Sequence, residues 1–223
     1  MRFDVLTLFP DLFQGYLSQS LLKTAIQTDK VAIHLWNIRN WAKGKHANVD
    51  DRPFGGGPGM VMMPEPIFDC VEEVRLKVPE DLGLLVMLTP AGEKLNQKIV
   101  VELSSYKRLL FLCGRYEGFD ERIRLGLKPR EISIGDFICN GGEVPAMVLI
   151  DSVIRLIPGF LGDPDSLAEE SHNDLGKVEY PQFTRPRVFR GMEVPHVLLG
   201  GNHAAIASWR EEQSRLRSQD FIK

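Results

Sequence analysis

Apolar positions along the first 160 residues fall into two alternating rhythms. Phe3–Leu8, Val31–Ile38, Leu84–Leu88, Leu109–Cys113 and Ile132–Ile134 are short runs, alternating or wholly apolar, and they predict strands. Between them the apolar residues recur at helical spacing. From Pro10 to about Thr28 the chain carries Leu12, Phe13, Leu17, Leu21, Leu22 and Ile26 on one stripe. A second helix opens at Pro64, with Glu65 beside it in the first turn, and runs to about Lys77. Lys94–Leu103, Phe119–Leu125 and the apolar Pro145–Ile157 complete the set. Strands that alternate with helices argue for an α/β fold with a mostly parallel sheet covered by helices.

The rhythm stops at Pro158. Gly159, Gly162, Pro164, Asp165 and Ser166 have the composition of a linker, and Glu169-Glu-Ser-His172 follows. Beyond it Asn202 is placed to cap a helix carrying Ile206, Trp209 and Leu216. The expected organisation is a large domain over 1–160, a linker over 161–175 and a small helical domain over 176–223. The stretch Arg39–Met60 has no periodicity and holds Phe54-Gly-Gly-Gly-Pro-Gly59 among charged residues. Loops of that length are more often functional than spacers.

Composition narrows the class. With 223 residues, 43% hydrophobic and 26% charged, the chain is an ordinary globular protein. Three scattered cysteines without a CxxC pair argue for a reducing compartment and against a disulfide frame or zinc site. No apolar run is long enough to span a membrane, and Met1-Arg-Phe-Asp-Val puts charge inside a strand pattern, unlike a signal peptide. The expectation is a cytoplasmic protein. The net charge of −3 conceals an asymmetry: residues 176–223 hold eight Lys and Arg against five Asp and Glu, and the remainder is net −6. A weakly basic C-terminal piece can meet phosphates.

Candidate chemistry concentrates in two glycine-punctuated segments, Gly114-Arg-Tyr-Glu-Gly118 and Ile134-Gly-Asp-Phe-Ile-Cys-Asn-Gly-Gly-Glu-Val-Pro145, each following an apolar run. A strand that ends in glycine brings bare backbone up to a ligand, and two such ends this close predict two loops lining one pocket. GxGxxG, GxxxxGK[ST], HExxH and GxSxG are all absent. Arg115, Glu117, Asp120, Glu121, Arg122, Asp136 and Glu143 crowd ionisable groups around the loops. Such a pocket suits a neutral or cationic ligand better than a triphosphate, which needs Lys, Arg and helix N-termini.

Gly114-Arg-Tyr-Glu-Gly-Phe-Asp-Glu-Arg122, Ile134-Gly-Asp-Phe137 and Asn140-Gly-Gly-Glu-Val-Pro-Ala146 resemble the bacterial tRNA (guanine-N1)-methyltransferases of the SPOUT superfamily. Phe3-Asp-Val-Leu-Thr-Leu-Phe-Pro10, Asp50–Met60, Asp151-Ser-Val-Ile-Arg155, Ile157-Pro-Gly159, Thr184-Arg-Pro186 and Gly201-Asn-His203 extend the likeness from residue 1 to about 217. The resemblance implies methylation of N1 of the guanosine just 3′ of the tRNA anticodon, with S-adenosylmethionine as donor. It also implies a deep trefoil knot threaded by the two loops, and a homodimer whose active sites are shared between subunits. The strand and helix count alone gives no knot.

By the same resemblance, the catalytic residues are Glu170, Arg155 and Glu117. The family pattern has Asp-Ser where this chain has Glu170-Ser171, so Glu169 stays open as the substitute base. Cofactor contacts are implied for Leu88 and Pro90, and for Gly114, Tyr116 and Gly118 in the first loop. In the second loop they are implied for Ile134, Gly135, Asp136, Phe137, Ile138, Cys139, Gly141, Gly142 and Pro145. Arg52, Arg185, His203 and Arg210 are the tRNA-contact candidates. Mg²⁺ dependence is a family expectation, although no ligand cluster is visible. A nucleotide-cleaving enzyme and a non-catalytic RNA-binding relative are the rival readings. The absent P-loop opposes the first, and the Glu at position 170 keeps the second open.

Overall fold

The sheet is built around one strand, Arg108–Cys113, that is buried at every position. In the computed structural model, which describes residues 1–161, 171–172 and 177–221, β1 (Arg2–Thr7), β2 (Ala32–Asn37) and the short antiparallel pair β3 (Asp50–Asp51) and β4 (Val61–Met62) come first. β5 (Leu84–Lys94), β6 (Arg108–Cys113) and β7 (Arg130–Ser133) follow. β1, β2, β5, β6 and β7 form one parallel sheet in the order β2-β1-β6-β5-β7. Alternation sorts β6 into two faces, as the pleat requires. Leu109, Phe111 and Cys113 join one core with Phe3, Val5 and Val86, whereas Leu110 and Leu112 join another with Leu6, Leu85 and Met87.

Helices cover both faces. α1 (Gln14–Leu17), α2 (Ser20–Gln27), α4 (Gln97–Ser104) and α6 (Glu143–Ile154) supply Tyr16, Leu22, Leu103, Leu149 and Val153 to the first core. α3 (Pro64–Leu76) and α5 (Glu121–Leu127) supply Ile67, Val71, Val74 and Ile123 to the second. The expected α/β architecture with a mostly parallel sheet is therefore the observed one.

The boundaries differ in three informative places. The single helix expected over Pro10–Thr28 is a 3-10 turn (Pro10–Phe13), α1 and α2, with Gln19 extended and Ser20 at φ +55°. Ser18 donates its hydroxyl to the Gly15 carbonyl at 3.1 Å, the local competition by which serine interrupts helices. At the other end of the sheet, β5 runs past Leu88 to Lys94, so α4 begins only at Gln97, capped by the Asn96 side chain, which accepts from Ile99 N–H at 3.1 Å. Leu88 and Glu93 both pair with Ile132, and the four residues between them loop over β7. Gly92 passes so close that an added methyl would lie 2.5 Å from the Ile132 nitrogen. Finally, α6 ends at Ile154 rather than Ile157, short of Pro158, which disfavours helix in the residue before it.

A second compact unit begins at Gly162. Its described part holds the hairpin β8 (Val188–Phe189) and β9 (Met192–Glu193), which the sequence reading did not anticipate, and α7 (His203–Phe221). Asn202 caps α7 as expected, accepting from Ala205 N–H at 3.2 Å.

The end of the sheet where β1 and β6 begin is locked by a buried charge network. The Asp4 carboxylate on β1 accepts hydrogen bonds from Arg2, from the Trp36 indole on β2 and from Arg108 Nε on β6, each at 2.8 Å. Arg108, 1% exposed, spends its remaining donors on the carbonyls of Val74, Arg75, Val78 and Asp81 at the end of α3 and just beyond it. Burial alone would raise the Asp4 pKa, but these donors hold it below its ordinary value. The folded carboxylate thus binds protons less readily than the unfolded one, so its stabilisation is present above the unfolded value and fades as pH falls through the folded one. Arg108→Ala should cost about 3–5 kcal/mol in urea unfolding, because it takes one of two arginine partners from the buried Asp4 carboxylate and leaves the carbonyls at the end of α3 without their donor. Asp4→Asn should flatten the loss of stability below about pH 4. An unchanged acid limb in that variant would overturn the assignment.

Candidate active site

Three strand ends open onto one cavity. β5 ends its first ladder at Leu88, β6 ends at Cys113, and β7 ends at Ser133; the segments after them line a cleft of about 740 Å³. That is the size of a small-molecule site, and it sits at the carboxyl ends of parallel strands, where α/β sheets place their ligands.

The two glycine loops meet backbone to backbone. Gly142 N–H donates to the Gly114 carbonyl at 2.9 Å. A methyl on Gly142 would lie 2.6 Å from Cys113 Cα, so only glycine allows this approach. Leu88, Pro90, Gly114, Tyr116, Gly118, Ile134, Phe137, Ile138, Cys139, Gly141, Gly142 and Pro145 all line the cleft, as does Glu117. Gly135 and Asp136 do not: Asp136 turns outward to an ion pair with Lys94. Tyr116 holds φ +60° and is half exposed at the cleft, an uncommon conformation for a residue with a side chain.

The first loop rests on the segment before α3. Glu117 N–H donates to the Met60 carbonyl at 2.9 Å, and Met62 N–H to the Gly118 carbonyl at 2.9 Å. The Glu117 carboxylate lies directly over the Cα of Gly59. One member of the Phe54–Gly59 glycine run thus supports a cavity residue. Arg52, its neighbour in sequence, is exposed, with its N–H on the Asp51 carboxylate at 2.7 Å.

Charge is unevenly neutralised around the cleft. Asp120 pairs with Arg122, Glu121 with Arg124, and Glu131 stands 4.0 Å from Arg124. No ion pair among the described residues engages Glu117. The Cys113 thiol is pushed well above its usual pKa by burial and then by the Glu143 carboxylate, so it stays protonated and is not a nucleophile. Among the described residues no group of three or more His, Cys, Asp or Glu could hold a metal ion. No helix among them is long and apolar enough to cross a membrane.

Arg155 caps the C-terminus of α6 and is partly buried. Asp151, one turn earlier, accepts the Tyr16 hydroxyl at 3.3 Å. Glu169 and Glu170 lie outside the described residues. In the second unit Arg185 is exposed, His203 opens α7, and the Arg210 guanidinium lies 4.6 Å from the centre of the Tyr180 ring. The sequence reading named Arg115 only as a charge near the loops, not as a ligand contact, and did not single out Asn140 or Ser133; all three line the cleft. Each flanks a predicted glycine by one or two positions, which is the signal that could have found them.

Residues 1–221 match the family described as tRNA (guanine-1)-methyltransferase TrmD. The chain belongs to that family. It is 51% identical over 218 residues to the tRNA (guanine-N(1)-)-methyltransferase of Moorella thermoacetica, covering 98% of this chain and 87% of the relative. The corresponding protein of Rhodopirellula baltica is 53% identical over 224 residues, with 99% and 91% covered. That of Listeria monocytogenes is 47% identical over 220 residues, with 99% and 89% covered. The family therefore spans both compact units of this chain.

The contact between the loops makes a direct prediction. Gly142→Ala should destabilise the protein by about 1–3 kcal/mol, since the clash is with backbone that cannot rotate away. Gly15→Ala, on α1 with open space around it, should be neutral or stabilising by under about 1 kcal/mol. Thermal unfolding of the two variants checks both, and equal midpoints would refute the close contact.

Proposed function

We propose that this chain methylates N1 of guanine in tRNA, at the guanosine immediately 3′ of the anticodon, with S-adenosylmethionine as the donor. Methyl transfer to guanine in tRNA follows from family membership. The observation that carries the donor site is the cleft itself: two glycine loops joined backbone to backbone, with apolar side chains and the Glu117 carboxylate, which no ion pair among the described residues engages, in its lining.

S-adenosylmethionine brings an electrophilic methyl group on a positively charged sulfur. The residues present fit such a ligand. Leu88, Pro90, Ile134, Ile138 and Pro145 offer apolar walls for a nucleoside, and the glycine backbone offers close amides and carbonyls. The carboxylate of Glu117 makes the interior favourable for a cation and unfavourable for a triphosphate.

Guanine N1 carries a proton and becomes a nucleophile only by losing it, so a base must stand at that edge. Glu170 takes this role on the strength of the family likeness, with Glu169 as its neighbouring alternative. As the proton leaves, negative charge builds on guanine O6, and the Arg155 guanidinium is the group assigned to meet it. Rate then comes from aligning N1, methyl and sulfur, which a rigid pair of loops supplies better than a mobile one.

The reading extends to a deep trefoil knot and a homodimer. The looping of 89–92 over β7 and the Gly142 contact support the first. Val144 and Val148, exposed on one face of α6, and Leu12 on the neighbouring turn support the second. Arg52, Arg185, His203 and Arg210 are proposed tRNA contacts. The protein acts in the cytoplasm, where its substrate is, and Mg²⁺ is not assigned a site.

Tritiated methyl transfer onto tRNA with guanosine or adenosine 3′ of the anticodon tests reaction, base and position together; incorporation into the adenosine variant would sink the proposal. Arg155→Ala should lower turnover by about 10²–10³-fold with donor affinity unchanged. Glu170→Gln should remove activity and Glu170→Asp should keep it. If Glu170→Gln stays active while Glu169→Gln is dead, the base is the neighbour.

A further inference from the structure

Glu143 is 1% exposed and does not line the cleft, yet three segments of the site meet on its carboxylate. Thr7, at the end of β1, donates its hydroxyl to Glu143 Oε1 at 2.8 Å and accepts the Phe9 N–H at 2.9 Å. Arg115, in the first glycine loop, brings Nε to 3.0 Å from Glu143 Oε2. The alignment is too poor for a hydrogen bond, so the contact is an ion pair in a buried place. The same guanidinium donates through Nη1 to the Asn140 carbonyl of the second loop at 3.2 Å, and lies 4.5 Å from the centre of the Phe9 ring. The second loop closes over the pair: a methyl on Gly141 would lie 2.5 Å from Arg115 Nε and 2.6 Å from Glu143 Oε2.

A buried ion pair is an expensive way to hold a fold, because apolar residues of the same volume usually stabilise as well or better. What apolar residues cannot do is fix one geometry with directional contacts. Arg115 lines the cleft, whereas Glu143 stands behind it and reaches the cleft only through Arg115.

We propose that Glu143 is a positioning residue for the methyl-donor site, holding the 114–118 and 139–142 loops at one separation through Arg115. The inference rests on the donor-site reading above. Glu143→Gln keeps an oxygen for the Thr7 hydroxyl and removes the charge that holds Arg115. Thr7→Val does the reverse, removing the hydroxyl bond and leaving the ion pair.

The test compares Glu143→Gln, Arg115→Met, the double variant and Thr7→Val. S-adenosylmethionine affinity is read by calorimetry, KM for tRNA by methyl transfer, and stability by thermal unfolding. Glu143→Gln and Arg115→Met should each weaken donor binding about 10- to 100-fold, the scale on which losing an orienting partner acts. The double variant should be no worse than the poorer single, since the two act as one unit. KM for tRNA should stay within about twofold, on the same orienting-partner argument. Thr7→Val should lower the thermal midpoint and leave donor affinity intact. Donor affinity that simply tracks the midpoint across all four variants overturns the proposal, as does wild-type affinity in Glu143→Gln. Amide exchange keeps the two readings separate. If the unaltered protein fails to bind the donor, the donor-site reading fails; faster exchange of 139–142 in Glu143→Gln, with β6 unchanged, would still establish the positioning role, and unchanged exchange would end it.

Discussion

Bare backbone meeting bare backbone is the constraint on which this site depends. At Gly142 the amide reaches the Gly114 carbonyl, and the Cα lies where no side chain on residue 142 could coexist with Cys113. At Gly92 the chain crosses β7 at the same kind of distance. Neither contact stabilises much by itself, since a backbone hydrogen bond contributes about 1 kcal/mol net. Their effect is geometric. They bring the ends of β5, β6 and β7 within reach of one small molecule, and they fix where α6 starts. The Arg155 position follows from that start, three turns along a buried helix.

Such loops need a platform that does not give. The Asp4 network provides it at the opposite end of β1 and β6, where one carboxylate ties three strands and Arg108 carries the tie into the end of α3. The two ends of the sheet use charge differently. At the Asp4 end Arg2, Trp36 and Arg108 converge on one carboxylate, and the result is rigidity. At the cleft, arginines neutralise Asp120, Glu121 and Glu131 and leave Glu117 unpaired among the described residues. A fully neutralised cleft would hold a cation no better than it holds a neutral ligand.

The sequence made the α/β layering legible because β6 and its neighbours are short and apolar and the helices keep a 3.6-residue stripe. The glycine loops were legible as a pair for a related reason: glycine after a strand has few purposes. The break at Ser18–Ser20 was hidden, since Leu17, Leu21 and Leu22 keep helical spacing across it. The extension of β5 was hidden because Pro90 and Gly92 read as turn residues, and only the contact with β7 shows why a strand tolerates them. Glu143 read as one more ionisable group near the loops. Its partner Thr7 lies at the other end of the domain's sequence, and nothing local marks a glutamate at a helix start as buried.

Burial of Glu143 also explains how a loop so rich in glycine can hold a shape. Glycine loses more conformational freedom on ordering than any other residue, so a Gly-Gly turn is a poor choice for a rigid wall. The close approaches at 114 and 142 nevertheless exclude anything larger. The ordering must therefore come from outside the loop. Arg115 supplies it from the first loop to the second through the Asn140 carbonyl, with Glu143 behind it and Phe9 beneath the guanidinium. A site of this kind trades intrinsic stiffness for access to backbone, and it recovers the stiffness from a charge placed where no ligand touches it.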